Sequence, residues 1–170
     1  KIERQTTRWE QVVEDPEVDA VYVATPWPDH HPVVMATLRQ RKAVFCEKPL
    51  GADLEEVEEM TAAAARAGVP TQGGLVLRHS ATLWKIGRII QSGAYGDLRQ
   101  VMLREDSCAP VRGLYRTALA DRLRGRGILW EENIHDLDTL VNLLGMLRVK
   151  TAELWMADLG GTGPVEVGTS

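Results

Sequence analysis

Two short apolar runs constrain the fold most: Ala20–Ala24 (AVYVA) and Ala43–Cys46 (AVFC). Neither alternates apolar with polar residues, as a strand with one wet face would. Such continuous β-branched and aromatic runs suit central parallel strands covered on both faces. Parallel neighbours need a crossover between them, usually a helix, and the intervening residues supply one. Thr25-Pro26-Trp27-Pro28 forces a turn, and Pro32 can take the first helical position, where its missing N–H costs nothing. Val34 and Leu38 then share a face until Arg41-Lys42. A second crossover helix is predicted after Asp53 and Glu56, which offer an N-terminal cap. Its inner stripe would be Leu54, Val57, Met60 and Ala64, and Gly68 would end it. Thr71–Leu77 returns as a strand weakened by Gly73-Gly74. In front of the whole pattern, Thr7 and Glu10 fit a capping box for a short helix reaching about Glu14. The β-α-β-α-β order implies right-handed crossovers and a parallel sheet.

The pattern changes after Arg78, which divides the chain into 1–78 and 79–170. Leu83, Ile86, Ile89 and Ile90 mark a helix ended by Gly93, and Leu98–Glu105 alternates like a strand. Ser107–Arg126 is irregular and reads as a long loop. Ile128–Leu144 is expected to be a helix with Ile134, Leu137, Val141 and Leu144 inward and Gly145 as its stop. Val149–Asp158 reads as a strand, and the glycine-rich tail from Gly160 shows no periodicity. The fold class is therefore α/β. The C-terminal half of a Rossmann-like parallel-sheet domain is followed by the start of an α+β, open-sheet domain for substrate binding or oligomerisation. No G-x-G-x-x-G turn occurs to cradle a pyrophosphate. The chain is accordingly expected to be a fragment that lacks two βα units in front, about 60 residues at ~30 per unit. The C-terminal part is expected to be missing too.

The chemistry-bearing element is Cys46-Glu47-Lys48-Pro49, which places a lysine at the carboxyl tip of a strand. Ligands of open α/β sheets bind in the crevice beyond those tips. A cation held there can polarise a substrate oxygen beside a bound cofactor. Downstream, Glu131 and His135 stand four residues apart, on one face of the predicted helix. An imidazole suits proton exchange near neutrality.

Composition removes several alternatives. The chain has 44% hydrophobic and 26% charged residues, as a soluble globular protein does. A net charge of −4 argues against a general nucleic-acid binder, and no apolar stretch approaches a membrane span. Cys46 and Cys108 lack metal-ligand spacing, and the adjacent His30-His31 would diverge on a helix, so no metal site is expected. A cytoplasmic, disulfide-free protein is the expectation.

Four blocks in order between Thr7 and Gly145 resemble the Gfo/Idh/MocA family of oxidoreductases. They are Asp19–Pro26 with His30, Lys42–Leu50, Arg78 with Gly93-Ala94-Tyr95-Gly96, and Gly127–Asp138. The chain departs from the family pattern at Trp27 and Asn133, where asparagine and glycine are common, and at Glu131, often aspartate. The resemblance implies an NAD or NADP cofactor and hydride transfer to or from a secondary alcohol carbon of a sugar, cyclitol or related polyol. It implies Lys48, His135 and Glu131 as catalytic residues: Lys48 holds the substrate oxygen and His135 takes the hydroxyl proton. It makes Thr25, Pro26, Trp27, His30, Glu47, Lys48 and Pro49 neighbours of the cofactor, and it implies a homo-oligomer for the full-length protein. The alternatives are a non-catalytic sugar- or nucleotide-binding regulator on the same fold, and a fragment inactive by itself.

Overall fold

In the computed structural model, residues 2–105, 133–158 and 164–169 are described, and for 154–158 and 164–169 only the backbone. The chain divides into two units, Lys1–Gly74 and Leu75–Ser170.

In the first unit, helix α1 (Trp9–Glu14) leads into strand β1 (Ala20–Val23). A single 3-10 turn (Trp27–Asp29) feeds helix α2 (His30–Arg39), followed by strand β2 (Ala43–Cys46). Helix α3 (Leu54–Ala67) and strand β3 (Thr71–Gly73) complete it. The sheet is parallel in the order β1-β2-β3, with Tyr22 opposite Phe45 and Cys46 opposite Gly73. Its core is aliphatic: Val21 and Val23 of β1 and Val44 and Cys46 of β2 pack with Val33, Val34 and Leu38 of α2 and Met60 of α3.

The caps of α3 form as the sequence predicts. The Asp53 carboxylate accepts the Glu56 backbone N–H at 3.0 Å, and Glu56 Oε2 accepts the Ala52 N–H at 2.7 Å. Gly68 ends the helix at φ 64°, a left-handed conformation open to glycine.

Several expectations are corrected. The Thr7 capping box does not form: Arg8 stands at the N-cap of α1 with no side-chain bond. The hydroxyl that works there is Thr6, which accepts the Arg8 N–H at 3.1 Å. Pro32 is the third residue of α2 rather than the first. Strand β1 is covered on one face only, because Tyr22 is 63% exposed while Val21 and Val23 are buried. Leu54 is exposed rather than inward, since it opens α3 on the solvent side. Strand β3 is shorter than expected, and Val76–His79 forms a 3-10 turn instead.

The second unit holds helix α4 (Ala81–Ser92), helix α5 (Asn133–Leu144) and an antiparallel pair, β4 (Leu154–Asp158) with β5 (Pro164–Thr169). Ser80 caps α4 and Gly93 closes it at φ 64°. No strand forms over residues 98–105, where Val101 and Met102 are exposed. Strand hydrogen bonds need a neighbour, and none of the described strands pairs there. Leu137 is exposed and not inward. The tail expected to be irregular instead supplies β5, with Pro164 as its first residue, the position a strand tolerates. The predicted loop 107–126 and residues 128–132 of the predicted helix, Glu131 included, lie outside the described residues.

Candidate active site

Parallel pairing carries the ends of β1 and β2 to the same edge of the sheet. The ladder runs one bond beyond β2, where the Glu47 N–H donates to the Val23 carbonyl at 2.9 Å. The loops that follow therefore leave side by side. Thr25 and Pro26 are exposed there, Lys48 is half-buried, and Pro49 is buried behind a cis Lys48–Pro49 bond.

His30 ties these loops together. It opens α2, is 0% exposed, and sits with Nε2 2.7 Å from the Thr25 carbonyl oxygen and Nδ1 2.8 Å from that of Pro49. Its neighbour diverges: His31 Nε2 meets Glu59 Oε2 of α3 at 2.8 Å. Trp27, 2% exposed, is buried beneath the Thr25 loop. His30 and Trp27 are thus buried rather than presented at the surface of this edge.

Glu47 is held from two sides. The Tyr22 hydroxyl donates to Oε1 at 2.5 Å, and the Lys48 backbone N–H donates to Oε2 at 3.3 Å. Tyr22 also stacks on Phe45, ring centroids 4.6 Å apart. Gly74 passes over the same carboxylate: a Cβ there would sit 2.6 Å from Glu47 Oε2 and 3.0 Å from Glu47 Cα. A larger residue would have to push that carboxylate aside and would crowd the Glu47 backbone. The bond to Glu47 pushes the Tyr22 phenol above its ordinary value, helped by burial and by the carboxylate charge. Burial, then the Glu47 charge, pushes the Cys46 thiol up to about 12, so Cys46 is a neutral core residue. Tyr22 and Gly74 were not singled out in the sequence. Their signals were the register that sets Tyr22 beside the second strand and the glycine pair that interrupts the third.

In the second unit, α5 carries His135. Asp138 on the same helix forms a two-pronged ion pair with Arg78, Nε to Oδ2 at 2.9 Å and Nη2 to Oδ1 at 2.6 Å. That pair fastens α5 to the 3-10 turn before α4 and makes Asp138 structural. The pair holds the Arg78 guanidinium above its ordinary value, mainly through this hydrogen bonding. His135 Nδ1, Asp136 Oδ2 and Thr139 Oγ1 are buried with no hydrogen-bond partner among the described residues. Among those residues no cluster of His, Cys, Asp and Glu could hold a metal, and no helix is long and apolar enough to cross a membrane.

Residues 2–74 match the family described as "Oxidoreductase family, NAD-binding Rossmann fold". The chain belongs to the Gfo/Idh/MocA oxidoreductases. Over 128 residues it is 34% identical to trans-1,2-dihydrobenzene-1,2-diol dehydrogenase of Danio rerio, a match covering 75% of this chain and 37% of that protein. Over 139 residues it is 34% identical to 1,5-anhydro-D-fructose reductase of Ensifer adhaerens, covering 82% of this chain and 41% of that one. A crystal structure of a putative myo-inositol dehydrogenase from Sinorhizobium meliloti superposes with a TM-score of 0.70 at 26% identity, over 89% of this chain and 44% of that one. The chain thus spans about two-fifths of the length of the curated relatives it matches. For this Gfo/Idh/MocA chain, the three-stranded parallel sheet is the Rossmann-like part of that fold.

Proposed function

We propose that this chain carries the nicotinamide end and part of the substrate site of an NAD(P)-dependent oxidoreductase acting on a secondary alcohol of a sugar, cyclitol or related polyol. The observation that carries the reading is the pairing of the Thr25 and Lys48 loops at the carboxyl edge of parallel strands, with His30 bridging their carbonyls. Two features support a nicotinamide at this edge. It lies where open α/β sheets bind nucleotides, and it presents exposed Thr25 and Pro26 beside Lys48. The given sequence holds no G-x-G-x-x-G motif of the kind that cradles a pyrophosphate.

Each residue then has a defined task. Thr25, Pro26 and Glu47 would hold the nicotinamide, with the buried Trp27, His30 and Pro49 supporting their loops from behind. Lys48 donates to the substrate oxygen and holds it in place; Glu47 fixes the backbone from which that lysine projects. His135 receives the hydroxyl proton as the alcohol carbon becomes a carbonyl, and returns it in the reverse direction. Glu131, four residues before it in the sequence, is a second, carboxyl-bearing candidate for the same step. The nicotinamide, when bound, takes or supplies the hydride. General-base help of this kind is typically worth about 10²–10⁴-fold. The relatives named for a diol, an anhydro-sugar and an inositol support a polyol as substrate.

The test is calorimetric titration with NAD and NADP of this chain and of a form extended upstream in its native reading frame. Binding by the extended form, with turnover of a polyol that Lys48→Ala lowers strongly without unfolding, is expected. A well-folded extended protein that binds neither dinucleotide refutes the proposal.

A further inference from the structure

A chain of contacts across the sheet ends at Lys48. Side chains alternate between the faces of a strand, so Phe45 and Glu47 lie on the same side of β2 and its extension. The register sets Tyr22 of β1 opposite Phe45, and the two rings stack with planes 11° apart. With its ring held there, Tyr22 reaches one pleat further and donates its hydroxyl to Glu47 Oε1 at 2.5 Å. The main chain beside it is fixed from both neighbouring strands. The Glu47 N–H donates to the Val23 carbonyl at 2.9 Å, and the Gly74 N–H donates to the Cys46 carbonyl at 2.7 Å. The second carboxylate oxygen then accepts the Lys48 N–H at 3.3 Å.

The Tyr22 hydroxyl is the member of this chain that stability does not explain. A bare phenyl ring would stack on Phe45 as well, so the hydroxyl adds nothing to that contact. Tyr22 is 63% exposed, and a hydrogen bond formed in water replaces others of nearly equal strength. What the hydroxyl supplies is direction. A glutamate turns about several bonds, and the long Lys48 contact alone would let it turn; a donor on the opposite oxygen stops it. We infer that Tyr22 is a positioning residue for the reaction: through Glu47, its hydroxyl holds the peptide from which Lys48 reaches the substrate oxygen. The inference rests on the oxidoreductase reading above and deepens it. Orientation of a reacting group carries much of an enzyme's rate, and a misplacement of about 1 Å can cost about 10²-fold. The support of such a group is therefore part of the site.

Tyr22→Phe keeps the ring and deletes the hydroxyl. In this chain, with its lysines nitrogen-15 labelled, the variant should move the Lys48 amide proton upfield as its acceptor turns away. It should melt within about 3 °C of the parent, as a surface change does. In the upstream-extended form, assayed with NAD and NADP on myo-inositol and D-glucose, it should lower kcat by about tenfold and change KM less. The deciding measurement repeats Tyr22→Phe on a Lys48→Ala background. Turnover should there change by less than about twofold, since no lysine is left to position. An equal loss on both backgrounds would overturn the inference, because Tyr22 would then act without Lys48. An unchanged kcat, an unmoved Lys48 amide or a melting temperature below that range would overturn it as well. An active parent with a silent Lys48 amide fails the inference alone. An extended parent that turns over neither compound fails the oxidoreductase reading first, and the inference with it.

Discussion

Replacing His30 with leucine keeps nearly the volume of the side chain and removes both of its polar contacts. The ring is 0% exposed, so water cannot substitute for it at either the Thr25 or the Pro49 carbonyl. A neutral imidazole carries one N–H and donates to one of these oxygens, whereas the protonated ring donates to both. A typical hydrogen bond contributes about 1 kcal/mol net, and stranding a buried acceptor costs about 1–3 kcal/mol. His30→Leu should therefore destabilise the first unit by about 2–4 kcal/mol, a large share of the ~5–15 kcal/mol that holds a domain together. In a chain of this length that corresponds to a fall in melting temperature of about 5–15 °C. Urea denaturation at neutral pH measures the loss. Amide hydrogen exchange locates it, with faster exchange expected in residues 24–27 and 47–51 and little change in α3. His30→Gln, which can remake one contact, should fall between leucine and the parent. A loss below about 1 kcal/mol for the leucine variant would refute the bridge, because a single working hydrogen bond already accounts for that much.

Other perturbations follow from the same geometry. Glu47→Gln should lower the Tyr22 phenol pKa toward its ordinary value, since the carboxylate that raises it is gone; absorbance titration near 295 nm reads this, and Gly74→Ala should act the same way by displacing the carboxylate. The Cys46 thiol, raised from 9.0 to about 12, stays protonated in the folded chain while the unfolded chain loses its proton above the lower value. Stability should thus be unaffected by this group below pH 9 and fall as the pH rises from there toward 12. Cys46→Val should flatten that decline in urea melts, and an unchanged slope would sink the assignment. Asp138→Asn breaks a two-pronged pair whose arginine is half exposed, so solvent screening limits the loss to about 0.5–1 kcal/mol, measured by a double-mutant cycle with Arg78→Lys.

The parallel sheet was legible because residues 20–23 and 43–46 are short runs of strand-forming apolar residues separated by a helical stretch, although burial itself alternates along β1. The caps at Asp53, Gly68 and Gly93 use residues whose backbone or side chain has few substitutes. What failed was local pattern without tertiary support. Residues 98–105 alternate as a strand should, yet alternation supplies no partner. Strand β5 was missed for the opposite reason, since Val165 and Val167 are too brief an alternation to stand out among glycines, and pairing with β4 creates the strand. Thr7 offered a good cap, but Thr6 occupies the place where the hydroxyl reaches the backbone. At the candidate site, position marked Lys48 and His135 only as polar residues after a strand and on a helix, and the family resemblance was needed to propose roles for them. The clasp between Tyr22 and Glu47 could not be named, because it depends on the register between β1 and β2. The burial of His30 was equally invisible, as a histidine near a strand end reads the same whether it faces a ligand or two carbonyls.

Glu47 follows β2 and Gly74 follows β3, yet the two pack against one another. Neither position can drift alone during descent. A side chain at 74 would push the Glu47 carboxylate aside, and the Tyr22 hydroxyl and the Lys48 amide would lose their acceptor together. Divergent copies of this chain should therefore change all of these positions as a set or none of them. A lineage that has given up glycine at 74 would be one in which the lysine beside it has been released from its duty.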